Sequence, residues 1–409
     1  IQSGAIASPD VESWSISPSL TFHLPTDWEM TARFTRAISD SGVKAEVFSG
    51  NSRLFVNDVR YKNDLWSAEF SSEGPLISLP GGEARVALGA GLRANGLDGS
   101  IFRTTSAATF AIQNYTDSQT ALFAYGEMFL PLIAGANALP LIHALEMTGA
   151  LRYERYDQMG SLATPKLGIA YQPIADLTLK AAWGKSFKAP TLSQLNIAPQ
   201  ATLYASSRYL PAPPTNENVL QIDGSRKALE PEKARTLTFT VQLEPSSIAG
   251  LKLEASFFDV RYKNRVTYPI ASSSQAFRDE YADLIILNPT LDQVLAATAS
   301  LPLGVQNLSG TAYDPANLAA IVYTGYQNVA RQHIQGVDSS IAYAFFSGSS
   351  DFKLEANASY LKSDQQLSAG QPVFEQAGTL FRPPHWRGSA NASWKRGEIS
   401  MAIAYNYLG

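Results

Sequence analysis

The sequence predicts an all-β fold, a transmembrane antiparallel β-barrel of about sixteen strands with long external loops and a short loop helix. Three observations carry this. Apolar residues recur at every second position through most of the chain, the period of a strand with two unlike faces. Connections between these runs alternate short and long. No apolar run reaches the roughly 18 residues that a membrane helix requires, so any crossing must be made by strands.

The pattern is clearest over 162–263. Four strands (162–172, 177–187, 232–244 and 251–263) are joined there by two short turns and one long loop. Leu177, Leu179, Ala181, Trp183 and Phe187 share one parity, and Thr178, Lys180, Ala182, Gly184 and Ser186 fill the other. After the loop, Leu237, Phe239, Val241 and Leu243 again oppose Thr236, Thr238, Thr240 and Gln242. From 162 onward the connections run short at 173–176, long at 188–231, short at 245–250, long at 264–331, short at 347–350, long at 363–383 and short at 395–397. Barrels of the outer-membrane type have short periplasmic turns and longer loops outside.

Taken in order, the chain opens with strands at 13–24, 28–38, 43–49, 53–61 and 65–71, separated by turns at 25–27, 39–42 and 50–52. The glycine- and proline-dense segment 74–82 reads as a turn. A strand at 84–94 follows, then a polar loop at 95–118. Strands 119–130 and 143–156 flank an apolar turn at 131–142, too greasy for a free loop. In the second of them Leu145, Met147, Leu151 and Tyr153 oppose Glu146, Thr148, Arg152 and Glu154. A charge facing lipid costs about 2–4 kcal/mol at the midplane, so the charged parity, with Lys180, Lys252 and Glu254, faces the lumen.

The loop 188–231 carries six prolines, Pro190, Pro199, Pro211, Pro213, Pro214 and Pro231, and its length marks a binding loop or a disordered one. The loop 264–331 contains a helix starting at Thr290, with Gln293 at the capping-box spacing and Val294, Leu295 and Thr298 on one face. The apolar stretch 281–287 is a second helical candidate. Strands 335–346, 352–361, 385–394 and 399–408 complete the chain. Tyr153, Tyr156, Tyr171, Trp183, Phe187, Tyr262, Trp386, Trp394, Tyr405 and Tyr407 sit near strand ends, where a barrel places its two aromatic girdles.

Composition narrows the functions. With 45% hydrophobic residues, 17% charged residues and a net charge of −4, there is no basic footprint for nucleic acid. The absence of cysteine removes disulfides and thiolate metal sites, and the four histidines are scattered. No Gly-x-Ser-x-Gly, His-Glu-x-x-His or phosphate-loop motif is present, so no enzyme is indicated. Abundant carboxylates leave a β-scaffold glycan hydrolase as a remote alternative, and a general diffusion porin as a nearer one.

Several stretches resemble the barrel of TonB-dependent outer-membrane receptors. They are Gly74-Pro75-Leu76-Ile77-Ser78-Leu79-Pro80-Gly81-Gly82, Thr164-Pro165-Lys166-Leu167-Gly168, Gly184-Lys185-Ser186-Phe187-Lys188-Ala189-Pro190, and Leu229-Glu230-Pro231-Glu232-Lys233-Ala234-Arg235-Thr236. Asn288-Pro289-Thr290, Gly336-Val337-Asp338 and Arg382-Pro383-Pro384-His385-Trp386-Arg387 follow in the same order. The resemblance implies a 22-stranded barrel around an N-terminal plug, importing a scarce small-molecule nutrient across the outer membrane with energy from the TonB complex. Ferric siderophores are the commonest cargo, and no cofactor is implied. The chain departs from that plan: nothing before Ser13 resembles a plug or a TonB box, and no strands follow Leu408. The expectation is an incomplete barrel domain over 1–409. Tyr204, Arg208 and Tyr209, in the loop 188–231, are the expected ligand contacts.

Overall fold

The computed structural model describes residues 3–209, 217–224, 229–270, 272–299, 301, 304–368 and 370–409; Pro211, Pro213 and Pro214 lie outside them. In chain order the first elements are β1 (Ser3–Ile16), β2 (Ser19–His23), β3 (Glu29–Ser49), β4 (Ser52–Leu79), β5 (Gly82–Thr105), β6 (Thr109–Ile133), β7 (Ala144–Tyr156), β8 (Gly160–Ile174) and β9 (Leu177–Lys188). Helix α1 (Leu192–Leu195), β10 (Gln200–Tyr204), β11 (Asn218–Asp223), β12 (Glu232–Leu243), β13 (Leu251–Thr267), β14 (Ile285–Leu287), α2 (Leu291–Thr298), β15 (Val305–Asn307) and β16 (Leu318–Tyr323) follow. The chain ends with β17 (Gln327–Ser347), β18 (Ser350–Gln366), β19 (Phe374–Glu375), β20 (Trp386–Arg396) and β21 (Ile399–Leu408).

Among the described residues, sixteen strands make one sheet in the order β1-β3-β4-β5-β6-β7-β8-β9-β12-β13-β17-β18-β20-β21, with β2 on β3 and β19 on β18. Each strand therefore pairs with its predecessor in an up-and-down meander, and β1 and β21 are the two edges. The expected alternation of connections holds: Gly348 and Ser349, or Gly397 and Glu398, suffice at one end, while 189–231 and 268–326 emerge at the other.

Parity is as expected where the outward face is apolar. Leu151, Leu167, Phe239 and Leu354 are exposed on the outside, at 54%, 59%, 46% and 42%, as lipid-facing residues must be when no lipid is counted. Glu154, of the opposite parity, is buried. Tyr153, Trp386, Tyr405 and Tyr407 lie exposed in the outer surface. Tyr156 does not join them: it is buried on the inner side, its hydroxyl donating to Glu154 at 2.7 Å.

Three expected breaks are strand. Residues 39–42 pair on both sides within β3, Ser39 with Ser13 and Asn63, and Gly42 with Asp10 and Arg60. The loop expected at 95–118 belongs to β5 and β6, which turn only at 106–108. The turn expected at 74–82 is reduced to Pro80 and Gly81. The physical reason is height. At 28 residues, β4 extends about 90 Å, against a hydrocarbon core of about 30 Å. The part beyond lipid is wet on both faces, so its polar residues carry no period and read as loop. Ion pairs knit it instead: Arg60 to Asp40 at 3.1 Å, and Arg36 to Asp64 through two guanidinium nitrogens.

Candidate functional site: the loop cap and the inner wall

The two longest loops do not stand apart. Segments from both assemble a five-stranded sheet in the order β14-β16-β11-β10-β15. β10 and β11, from the first loop, are antiparallel to each other; each takes a parallel partner from the second loop, β15 and β16. β-branched and leucine side chains alternate across it, giving two cores. On one face Leu203, Leu220, Ile222 and Ile321 pack with Val294 of α2; on the other Val219, Ala320 and Val322 pack with Tyr281, Leu284 and Val329. Gly325 runs so close to Gly224 that a Cβ on it would lie 1.6 Å from the Gly224 carbonyl oxygen, and Gly224 itself holds φ +106°. Only glycine fits either position.

Helix α2 starts as its sequence indicates. Thr290 N–H donates to Gln293 Oε1 at 2.9 Å, and the Thr290 hydroxyl accepts from Gln293 N–H at 3.3 Å. Val294 is buried, whereas Leu295, expected on the same face, is exposed. The stretch 281–287 divides into the end of a 3-10 turn (Asp279–Leu284) and strand β14, because it must pair with β16. Helix α1 docks on the tall β5–β6 hairpin: Asn196 Nδ2 donates to Asp117 at 2.6 Å, and Gln113 Nε2 donates to the Asn196 carbonyl.

The three expected contact residues lie on or beside the end of β10. Arg208 is exposed, its guanidinium carbon 4.2 Å from the centre of the half-buried Tyr204 ring. Tyr209 belongs to the core against which Tyr204 packs. It is fully buried, its ring meets Phe277 edge-on at 5.5 Å and its hydroxyl donates to Gln221 Oε1 at 3.1 Å. Burial pushes the Tyr209 hydroxyl well above the ordinary phenol range. The cap thus brings Tyr204 and Arg208 together at its surface and uses Tyr209 as core.

A second group, which no sequence motif marks, lies at the neck of the cap. Tyr268 and Tyr326 stack obliquely with ring centres 4.0 Å apart. Asp223 nearby accepts from Gln221 Nε2 at 3.2 Å and from the Thr324 hydroxyl. Burial, then Tyr326 and then Asp223 raise the Tyr268 hydroxyl pKa. The available signal was position: the two tyrosines follow and precede β13 and β17 within one residue, where both strands leave the barrel.

Below the cap the inner wall carries a groove of about 700 Å³ lined by Arg85, Glu127, Thr148, Lys166, Gly184 and Thr236. Above it Glu154 accepts from Arg152 Nε at 2.6 Å, Tyr156 at 2.7 Å and Arg93 at 3.3 Å. Arg152 also lies 4.5 Å from the Phe123 ring centre. Inward charges therefore pair across β5 and β7, over the intervening β6. Among the described residues no group of three His, Cys, Asp or Glu could hold a metal ion.

An antiparallel wall with a lipid-like exterior, a charged interior and a folded cap at one end defines a large membrane barrel of the receptor type. Comparison with family models agrees: residues 5–409 match "TonB dependent receptor-like, beta-barrel", and the chain belongs to that family, one of transport receptors and not of enzymes. No curated protein matches the sequence. Among solved structures, the ferric enterobactin receptor PfeA in complex with BCV-L6 superposes with a TM-score of 0.52 at 14% identity, covering 98% of this chain and 58% of that one. The siderophore receptor PirA of Acinetobacter baumannii gives 0.53 at 12% identity, covering 98% and 59%. The RagAB peptide transporter gives 0.61 at 11% identity, covering 99% and 48%. This chain thus spans about half to three-fifths of the lengths it matches, and identities this low speak to fold alone.

Proposed function

We propose that the protein is an outer-membrane active-transport receptor that captures a scarce small-molecule nutrient at its loop cap and imports it with TonB-supplied energy. The observation that carries this reading is the joint sheet of the two long loops. A diffusion pore gains nothing from a cored roof over its mouth, whereas a capture device needs rigid elements to hold its contacts. Tyr204 and Arg208 are the proposed contacts, an exposed cation backed by an aromatic face, suited to an anionic, ring-bearing ligand. Tyr268 and Tyr326 extend that surface to the mouth of the barrel. Ferric siderophores fit this chemistry and head the ligand list.

The test is growth and uptake in a strain deleted for the gene, on a panel of ferric siderophores, haem, cobalamin, oligosaccharides and peptides. Loss of ferric-siderophore uptake alone, recovered by the full-length gene and abolished without TonB, supports the reading. Uptake that persists without TonB would favour the porin instead.

A further inference from the structure

The outer face of the sheet changes chemistry at one level on β9, β12, β13 and β17. Below it the outward residues are apolar: Trp183 opposite Leu237, Phe239 opposite Phe257, and Phe257 opposite Val337. The Phe257 and Val337 register continues into Tyr360 and Trp386, an aromatic row of the kind that marks a membrane interface. Toward the loop end, the same parity carries Lys185 opposite Arg235, Arg235 opposite Arg261, and Arg261 opposite His333. Two residues further, Lys233 faces Lys263, and Lys263 faces Arg331.

On the outward parity of these four strands, among the described residues, are six exposed cations against one carboxylate, Asp259, which is engaged by Arg261 at 2.9 Å and His333 at 2.5 Å; Asp364 of β18, opposite His333, is taken by Lys362 at 3.3 Å. Among the described residues Lys185, Lys233, Arg235, Lys263 and Arg331 join no ion pair. Composition does not explain the strip, since the chain as a whole carries −4. Nor does folding, since like charges directly opposite on neighbouring strands destabilise a sheet. Their parity is opposite to that of Lys180 and Thr236, so they do not serve the lumen. An external anion resolves the arrangement, and the adjoining aromatic row fixes where that anion sits, at headgroup level beside the lipid-facing band.

We propose that this strip binds phosphate-bearing lipid headgroups of the outer leaflet. Strands stand about 4.8 Å apart, so four of them present a cationic face about 14 Å wide, enough for the two phosphates of one diphosphorylated glycolipid. Arginine guanidinium groups grip phosphate oxygens in pairs and the lysines add point charge, while the acyl chains lie on Phe239, Phe257 and Val337. This goes beyond the transport reading and needs only that the barrel stands with its loops outward.

The test uses the full-length receptor in detergent, mixed with diphosphorylated lipid A or with the same lipid after phosphatase treatment, and read by native mass spectrometry. Retention of the phosphorylated form with loss of the dephosphorylated one is expected. In the variant combining Lys185→Gln, Lys233→Gln, Arg235→Gln, Lys263→Gln and Arg331→Gln, affinity falls about ten-fold or more. A lumen variant, Lys180→Gln with Lys252→Gln, leaves it unchanged. Equal retention of the dephosphorylated lipid, undiminished binding by the strip variant, or full displacement by an equal concentration of inorganic phosphate would each overturn the proposal. The comparison of the two lipids on the unmodified protein stands even if the strip variant does not fold.

Discussion

Replacing Tyr209 distinguishes a core residue from a ligand contact. Tyr209→Ala empties a fully buried site. Truncating a large buried aromatic costs about 3–5 kcal/mol, and the edge-on Phe277 ring adds about 0.5–1.5 kcal/mol. A central value of about 5 kcal/mol for the sum corresponds to a several-thousand-fold increase in local opening. The effect centres on the cap, because Tyr209 shares its core with Val219, Ala320 and Val322, and that core reaches the wall through Val329 at the loop end of β17. Hydrogen exchange followed by mass spectrometry should therefore show accelerated exchange in peptides covering β10, β11 and β16, with β7 to β9 unchanged. Tyr209→Phe loses only the bond to Gln221, about 0.5–1.5 kcal/mol, and should bind ligand nearly as the parent does. Undisturbed exchange in Tyr209→Ala, or collapse of binding in Tyr209→Phe with a stable cap, would refute the assignment.

Other substitutions test neighbouring parts of the same argument. Thr290→Ala removes the N-cap of α2 and should cost about 0.5–2 kcal/mol, visible as faster exchange across Leu291–Thr298 alone. Asp283 accepts from Gln371 Nε2 at 2.8 Å and from the Ser368 hydroxyl. Those hydrogen bonds, Ser368 first, hold its carboxyl below the ordinary aspartate range. Its stabilising contribution is complete above the unfolded-state value of 3.8 and disappears as pH falls through the lower folded value. Limited proteolysis near 366–372 by an acid-active protease should therefore increase on acidification, and Asp283→Asn should remove that step. Glu154→Gln leaves Arg93 and Arg152 without their shared carboxylate; because the arginines are 33% and 36% exposed, water screens them and the cost is about 1–3 kcal/mol, which a lower urea midpoint of the refolded barrel would register.

Much of the wall was legible because lipid enforces a strict rule on it. Where one face meets hydrocarbon, as in β7 to β9 and β12 to β13, period two survives in the residues and sets parity, length and the side on which Glu154 lies. The rule lapses above the membrane. Ser39, Asp40, Ser41 and Gly42 have turn composition, yet β1 and β4 hold them in register from both sides, a constraint that no local window contains. The capping pair Thr290 and Gln293 was readable because it is local. Tyr209 was not: a tyrosine amid prolines looks like a surface anchor until strands from a second loop, about a hundred residues away, close over it. The Tyr268 and Tyr326 pair was hidden likewise, its two rings standing at opposite ends of one long loop and meeting only when β13 and β17 pair.

The interleaving of the two loops has a consequence for assembly and for engineering. β11 finds β16, and β10 finds β15, only after the wall has drawn the ends of β9, β12, β13 and β17 to one rim, because parallel partners so remote in sequence cannot meet earlier without a large loss of chain entropy. The roof is accordingly the last part to set. Transplanting a single loop into another barrel would deliver half a sheet with its hydrogen-bonding rims bare, so specificity can be moved between such proteins only by carrying both loops as one cassette.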